Sequence, residues 1–348
     1  MHSPLANLPY FPQKIIWFIF QWSALTASCF LVIKNYQNIF RTKITWIITL
    51  IFIFGNHFWR IHVSVGQIYV LYVFLLSLAY FVLQQNIKFK EIIAGLLIGI
   101  TTSFRFPIIV MILPMILFRK FKLLGATLLS LFFSLLTGVI IAKPEAWFSY
   151  FSAMSTIGKF ETTRIVKISN IDKIILPKII EGDHNLGLPF IINSESSLQS
   201  LIRGLFNFQI SGSILIVICC ILFLAFIVAF NSTYKKEIKQ NSDIQWDIFF
   251  ICGSIIILIG DFFIPAPRYS YNDIQFLIPL LLILKNINLS NKTVIISVFL
   301  LMIGASFISG MFYWIPKAVV IGEYTILGAM ISITLTLGAL TKTPESSG

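Results

Sequence analysis

Uninterrupted apolar stretches recur along this chain, and a stretch of about 20 such residues is long enough to cross a bilayer as a helix. The clear ones are 15–33, 68–83, 123–141, 212–230, 248–264, 293–312 and 324–340; shorter ones cover 44–59 and 276–284. The stretch 92–118 is interrupted by Phe104-Arg105-Phe106-Pro107. Pro107 disfavours helix at the residue before it, and Arg105 disfavours lipid, so this stretch reads as two half-helices meeting at Arg105. The expectation is an all-α, polytopic integral membrane protein with ten or eleven membrane segments, forming one integral membrane domain over 1–348. Composition agrees: hydrophobic residues make up 57% and charged residues 11%, against about 25% charged in soluble domains. Soluble folds, disorder and a nucleic-acid-binding domain are excluded by these figures.

Lysine and arginine set the expected orientation, because short cytoplasmic connections carry the excess. With 15–33 running inward, fourteen of the 26 basic residues fall on inner connections, among them Lys34, Arg41, Lys120 and Lys285. Five (Lys14, Arg60, Arg105, Arg268 and Lys317) fall on short outer ones. The other seven lie in one long outer loop, 142–211, which does not vote. Nine of the fourteen acidic residues, including Asp261, Asp273 and Glu323, fall outside. The chain is thus expected in the plasma (inner) membrane, multi-pass, with a cytoplasmic C-terminus. Both ends of the long loop, around Trp147–Phe151 and Leu198–Phe206, read as helices lying on the outer surface.

Ionisable groups at helix ends mark where chemistry is expected in a membrane protein. His57, Arg60 and His62 read as residues of an outer connection preceding Gly66-Gln67. Arg105 lies at the helix break and suits a phosphate. Asp261 closes one span and reads equally as a functional carboxylate or a salt-bridge partner of Arg268. Arg268, Tyr269, Tyr271, Asn272 and Asp273 fill the next short connection, where Pro265, Pro267 and Asn272 would also explain a turn. Asp183 and His184 read as loop residues. The four cysteines (Cys29, Cys219, Cys220 and Cys252) all lie in apolar stretches, so neither a disulfide framework nor a zinc site is indicated. No cluster demands a metal, no phosphate-binding glycine loop is present, and no cofactor is implied.

The order of motifs over 66–122 is Gly66-Gln67, an apolar span, the run Ala94-Gly95-Leu96-Leu97-Ile98-Gly99, then Arg105-Phe106-Pro107 and Arg119-Lys120-Phe121-Lys122. This resembles the GT-C integral-membrane glycosyltransferases, and within them glycosyltransferase family 87, the polyprenol-phosphate-mannose-dependent alpha-mannosyltransferases. The stretch Pro267 to Pro279 resembles the family's late outer motif, except that Asn272 and Asp273 stand where a His pair is usual. Ser3-Pro4-Leu5-Ala6 through Trp17 resembles the segment that follows the family's first outer loop. That loop, with its catalytic Asp, and the helix before it have no counterpart here, which suggests an amino-truncated or catalytically inactive chain.

The resemblance implies a polyprenyl-phosphate sugar donor, carrying mannose or a related hexose, and a glycan or glycolipid acceptor at the outer face. Membrane lipids are the remaining partner and nucleic acid is not one. A leaving phosphate needs fixed cations near the outer surface, for which Arg105, Arg268 and Arg60 are the candidates, and Gln67, Asn272, Tyr269 and Trp147 are the candidate substrate contacts. Asp261 and Asp273 are the candidate catalytic carboxylates. A flippase would share the broken helix, and a polymerase or ligase of lipid-linked glycans would share the topology. A flippase would also show internal repeats, and none is visible.

Overall fold

The computed structural model describes residues 9–34, 36, 39–162, 196–206, 208, 210–235, 238, 244–264, 268–287, 291–312, 314–315 and 317–340. Among them the regular structure is helical, with no strand. Lipid offers backbone N–H and C=O groups no water, so each segment must satisfy them internally. Side-chain hydroxyls follow suit: Thr49, Thr101, Thr102 and Thr334 each donate to the carbonyl four residues back on their own helix.

The helices are α1 (Tyr10–Ile33), α2 (Ile39–Gly55), α3 (His57–Val65), α4 (Tyr69–Gln84), α5 (Lys90–Phe104), α6 (Ile112–Leu117) and α7 (Phe121–Thr162). After them come α8 (Leu198–Phe206), α9 (Gly212–Thr233), α10 (Ile244–Phe263), α11 (Leu277–Asn286), α12 (Lys292–Ile308) and α13 (Ala318–Leu340). Two 3₁₀ segments, Phe106–Met111 and Ser270–Phe276, lead into α6 and α11. Every apolar segment read from the sequence is helical over most of its length, although 293–312 leaves the helix after Ile308 and 44–59 breaks at Asn56. Five helices are long and apolar enough to cross a membrane, and α2 with α3, bent by 61°, would make a sixth.

The break at Arg105 is present: α5 stops at Phe104, Arg105 is extended, and Phe106–Met111 resumes as 3₁₀. Residues 57–65, read from the sequence as part of an outer connection, instead form α3. Its apolar positions sit on one face, and His62 is fully buried, stacked on Trp59. α3 ends at Gly66, whose φ of +70° favours glycine. The start of the loop 142–211 is also a helix, but not a separate one, because α7 runs on to Thr162. Gly138 and Trp147 are nine residues apart, about 13.5 Å along a straight helix. A Cβ at Gly138 would nevertheless lie 3.0 Å from the Trp147 ring. The helix therefore bends between them, in the interval that holds Pro144, which has no N–H to donate. Asp183, His184, Pro265, Pro267 and Lys342 lie outside the described residues.

α10 is the centre of the fold: 89% of its apolar window is buried, against 22% for α7 and for α9, whose free faces are left for lipid. With little hydrophobic gain from pairing helices in lipid, close backbone approach carries the packing. α5 meets α7 at Gly95 and Gly99, where a Cβ would sit 2.6 Å and 2.5 Å from the carbonyl oxygens of Leu123 and Thr127. Gly99→Ala should therefore destabilise the protein by about 1–3 kcal/mol through overpacking. Gly125→Ala, with nothing within 4 Å, is the control. Thermal unfolding in detergent reads both, and equal midpoints would show that this contact does not limit stability.

Candidate functional site

Two buried polar clusters occupy opposite ends of α10. Its Asp247 and Asp261 are fourteen residues apart, about 21 Å along the axis. At the first end, Asp247 accepts from Tyr80 (2.7 Å), Gln84 (3.0 Å), Asn286 (3.1 Å) and Lys285, whose Nζ lies 2.8 Å from Oδ2. No buried polar atom of these five side chains lacks a partner. This cluster joins α4, α10 and α11 and is saturated.

The other end is not saturated. The helix break leaves Arg105 free of helical geometry, and its side chain turns toward the end of α10. One terminal nitrogen of Arg105 donates to both oxygens of Asp261, at 2.7 and 2.5 Å. Gln275 Nε2 donates to Asp261 Oδ2 at 2.6 Å. Arg268 lies behind this pair and is only 1% exposed. It donates to Asp273 at 2.7 Å, to Glu323 at 3.0 Å and to Ser196 Oγ at 2.6 Å. Its guanidinium lies 3.8 Å over the Phe262 ring. The Nε of Arg105 and the Nε of Arg268 are both buried without an acceptor. The latter stands 4.0 Å from Asp261 Oδ2, beyond hydrogen-bond reach.

Asp273 and Glu323 flank one guanidinium with two carboxyl groups, both fully buried. Burial raises the Asp273 pKa from its ordinary value, against the downward pull of Arg268. Asp273 and Glu323 also interact with each other behind the guanidinium. Beside the two unmet Nε donors, Asp273 Oδ2, Glu323 Oε1 and Gln275 Oε1 are also buried without a hydrogen-bond partner.

These groups border a cleft of about 240 Å³ lined by Tyr69, Arg105, Pro107, Gly260, Asp261, Ile264, Arg268, Tyr269, Tyr271 and Asn272. One wall is aromatic. Tyr69 stacks on Tyr271 (5.6 Å between centroids) and Tyr271 on Tyr269 (5.4 Å), while the Arg105 guanidinium lies over the Tyr69 ring at 4.3 Å. Asn272 Oδ1 is buried without a partner in the same wall. A shallow crevice lined by Ile68, Leu71, Tyr72 and Phe104 shares Tyr69 and Arg105 with the cleft. Its rim is exposed and apolar, with Ile68 at 42% and Phe104 at 56%.

Of the residues singled out from sequence, Arg105, Asp261, Arg268, Tyr269 and Asn272 line one cleft, and Asp273 stands directly behind it. Arg60 is exposed on α3 and does not line it. Gln67 is half-buried, and its backbone carbonyl accepts from Gln21 at 3.3 Å. Trp147 packs against Gly138 on α7, also away from the lining. Tyr69, Gln275, Ser196 and Glu323 were not assigned roles from sequence. Glu323 had a signal: it is the one carboxylate in the apolar run 318–340, where ionisable residues seldom lack a partner. Gln275 and Ser196 had none, being ordinary polar residues whose placement depends on the fold. Among the described residues no group of three or more His, Cys, Asp or Glu could hold a metal ion.

Fold and cleft define a class, a polytopic helical membrane protein with paired charges buried around a cleft at one end of its helices. A sequence model of glycosyltransferase family 87 matches residues 1–237 of the 348, and the chain belongs to that family. It is a membrane glycosyltransferase. The matched range includes Gly66-Gln67 and Arg105 and ends before Asp261, Arg268 and Asp273. No curated protein and no solved structure matches the chain.

Proposed function

We propose that the protein is a GT-C-type enzyme that transfers a hexose, mannose or a close relative, from a polyprenyl-phosphate donor. The acceptor is a glycan or glycolipid at the outer face of the plasma membrane. The observation that carries this reading is the pair of buried guanidinium N–H donors left unmet at the cleft. Arg105 and Arg268 each bury an Nε–H that no protein acceptor meets, and unmet buried donors are costly unless a ligand uses them. A phosphate has more acceptor oxygens than the single Asp261 carboxylate and matches guanidinium geometry. The apolar crevice that shares Tyr69 and Arg105 with the cleft offers exposed apolar surface beside that phosphate position. The tyrosine wall offers ring faces to a sugar.

In the reaction, the acceptor oxygen forms a bond to the sugar's anomeric carbon on the face opposite the phosphate. The bond from that carbon to the phosphate oxygen breaks, and polyprenyl phosphate leaves with the electron pair. A carboxylate takes the acceptor's proton. Of the two candidates, Asp261 lines the cleft and Asp273 lies behind Arg268, so Asp261 is the one an acceptor hydroxyl can reach. Fixed cations at the leaving oxygens stabilise the charge as it develops.

Membranes expressing the chain, supplied with radiolabelled polyprenyl-phosphate mannose, should form labelled glycan or glycolipid above the level of membranes without it. Labelling from a nucleotide sugar with no labelling from the polyprenyl donor would overturn the reading.

A further inference from the structure

We propose that Asp261 is the resident counter-anion of the donor site, holding Arg105 until the donor's phosphate displaces it. The proposal rests on the donor reading above and adds a role that reading does not require. Asp261 occupies the position a phosphate would take. Its two oxygens meet a terminal nitrogen of Arg105, Gln275 reaches it at 2.6 Å, and Arg268 Nε faces it from 4.0 Å. The carboxylate accepts from Arg105 and Gln275 and leaves both Nε groups unmet, while Asp273 Oδ2 and Glu323 Oε1 behind Arg268 are buried without a hydrogen-bond partner as well. The saturated Asp247 cluster at the other end of α10 shows that this helix can seat a carboxylate with every neighbour satisfied.

The physical consequence is competition. Before the donor arrives, Arg105 is pinned between the Tyr69 face and Asp261, and a buried guanidinium is never left as an uncompensated charge. A phosphate entering the cleft takes over the Arg105 nitrogens and supplies acceptors for the two Nε groups. Asp261 is then released from its ion pair toward the cleft it lines. A carboxylate freed only by the donor would meet the acceptor hydroxyl only when the sugar is in place. The same competition weakens donor binding by the fraction of time Arg105 is engaged.

The test uses the full chain in lipid nanodiscs, with radiolabelled polyprenyl phosphate as the probe. Asp261→Asn should bind it about tenfold more tightly than the unaltered chain, since the competing anion is gone. A purely structural role for Asp261 would not tighten binding. In the unaltered chain, the same ligand should increase labelling of Asp261 by a hydrophobic carbodiimide, because displacement exposes the carboxylate. Equal affinities with unchanged labelling overturn the proposal and leave the donor reading standing. Absent polyprenyl-phosphate binding, with inorganic phosphate still increasing Asp261 labelling, keeps the counter-anion and removes the lipid donor. No response to either ligand removes both. Should Asp261→Asn fail to fold, labelling of the unaltered chain decides alone.

Discussion

Arg268→Ala should destabilise the folded protein by roughly 3–5 kcal/mol, the cost expected when one member of a buried ion cluster is removed. Arg268 ties three parts of the chain together: the Ser270–Phe276 segment through Asp273, α13 through Glu323, and the approach to α8 through Ser196. Its backbone carbonyl also accepts from the Ser196 N–H at 2.6 Å. Without the guanidinium, two buried carboxyl groups face each other with no cation between them. Lysine would restore the charge but presents a single nitrogen where three acceptors are arranged around a planar fork. The triple variant Arg268→Met, Asp273→Asn, Glu323→Gln removes all three charges at similar volume and should recover most of the loss. Thermal unfolding in detergent measures the series. An Arg268→Ala protein as stable as its parent would show that the cluster is not what anchors α13 to the cleft.

The second large effect is on catalysis. Arg105→Ala should lower sugar transfer by about 10²–10³-fold, the usual consequence of deleting one donor to a charge that develops in the transition state. Insertion and folding should change less than for Arg268, because the Arg105 side chain is 10% exposed and borders the cleft, where water can reach the orphaned Asp261. Arg105→Lys should retain part of the activity, since a point charge still attracts phosphate without the two-pronged contact. Transfer from a labelled donor, normalised to folded protein, gives both values. Undiminished transfer by Arg105→Ala would exclude it from the phosphate site and return it to the role of a helix-break ion pair.

Much of this was legible in the sequence because lipid is a strict solvent. A run such as 212–230 can only be a helix there, and Arg105-Phe106-Pro107 can only be a break. The Arg105, Asp261 and Arg268 positions were legible for the same reason: charge at the end of an apolar run needs a partner. Which partner each takes was not legible. The sequence offers Asp261 as a salt-bridge partner for Arg268, whereas the structure gives Asp261 to Arg105 and gives Arg268 the carboxyl groups of Asp273 and Glu323. Arg60, at the end of an apolar stretch where such side chains usually reach to the interface, lies apart from the cleft because α3 replaces the expected loop and turns it outward. Trp147 likewise falls away from the cleft, since α7 continues past the expected end of its span and folds that ring onto Gly138.

What the chain's sequence determined alone was its solvent, its helices and the positions at which charge must be neutralised, all consequences of the local cost of exposing polar groups to lipid. What only the tertiary structure decided was the pairing. Gly95 and Gly99 draw α5 against α7, α10 takes the centre, and Tyr69, Gln275, Ser196 and Glu323 arrive from distant parts of the chain. Such pairings depend on distances between helices, and a linear sequence does not encode those distances until the helices have packed.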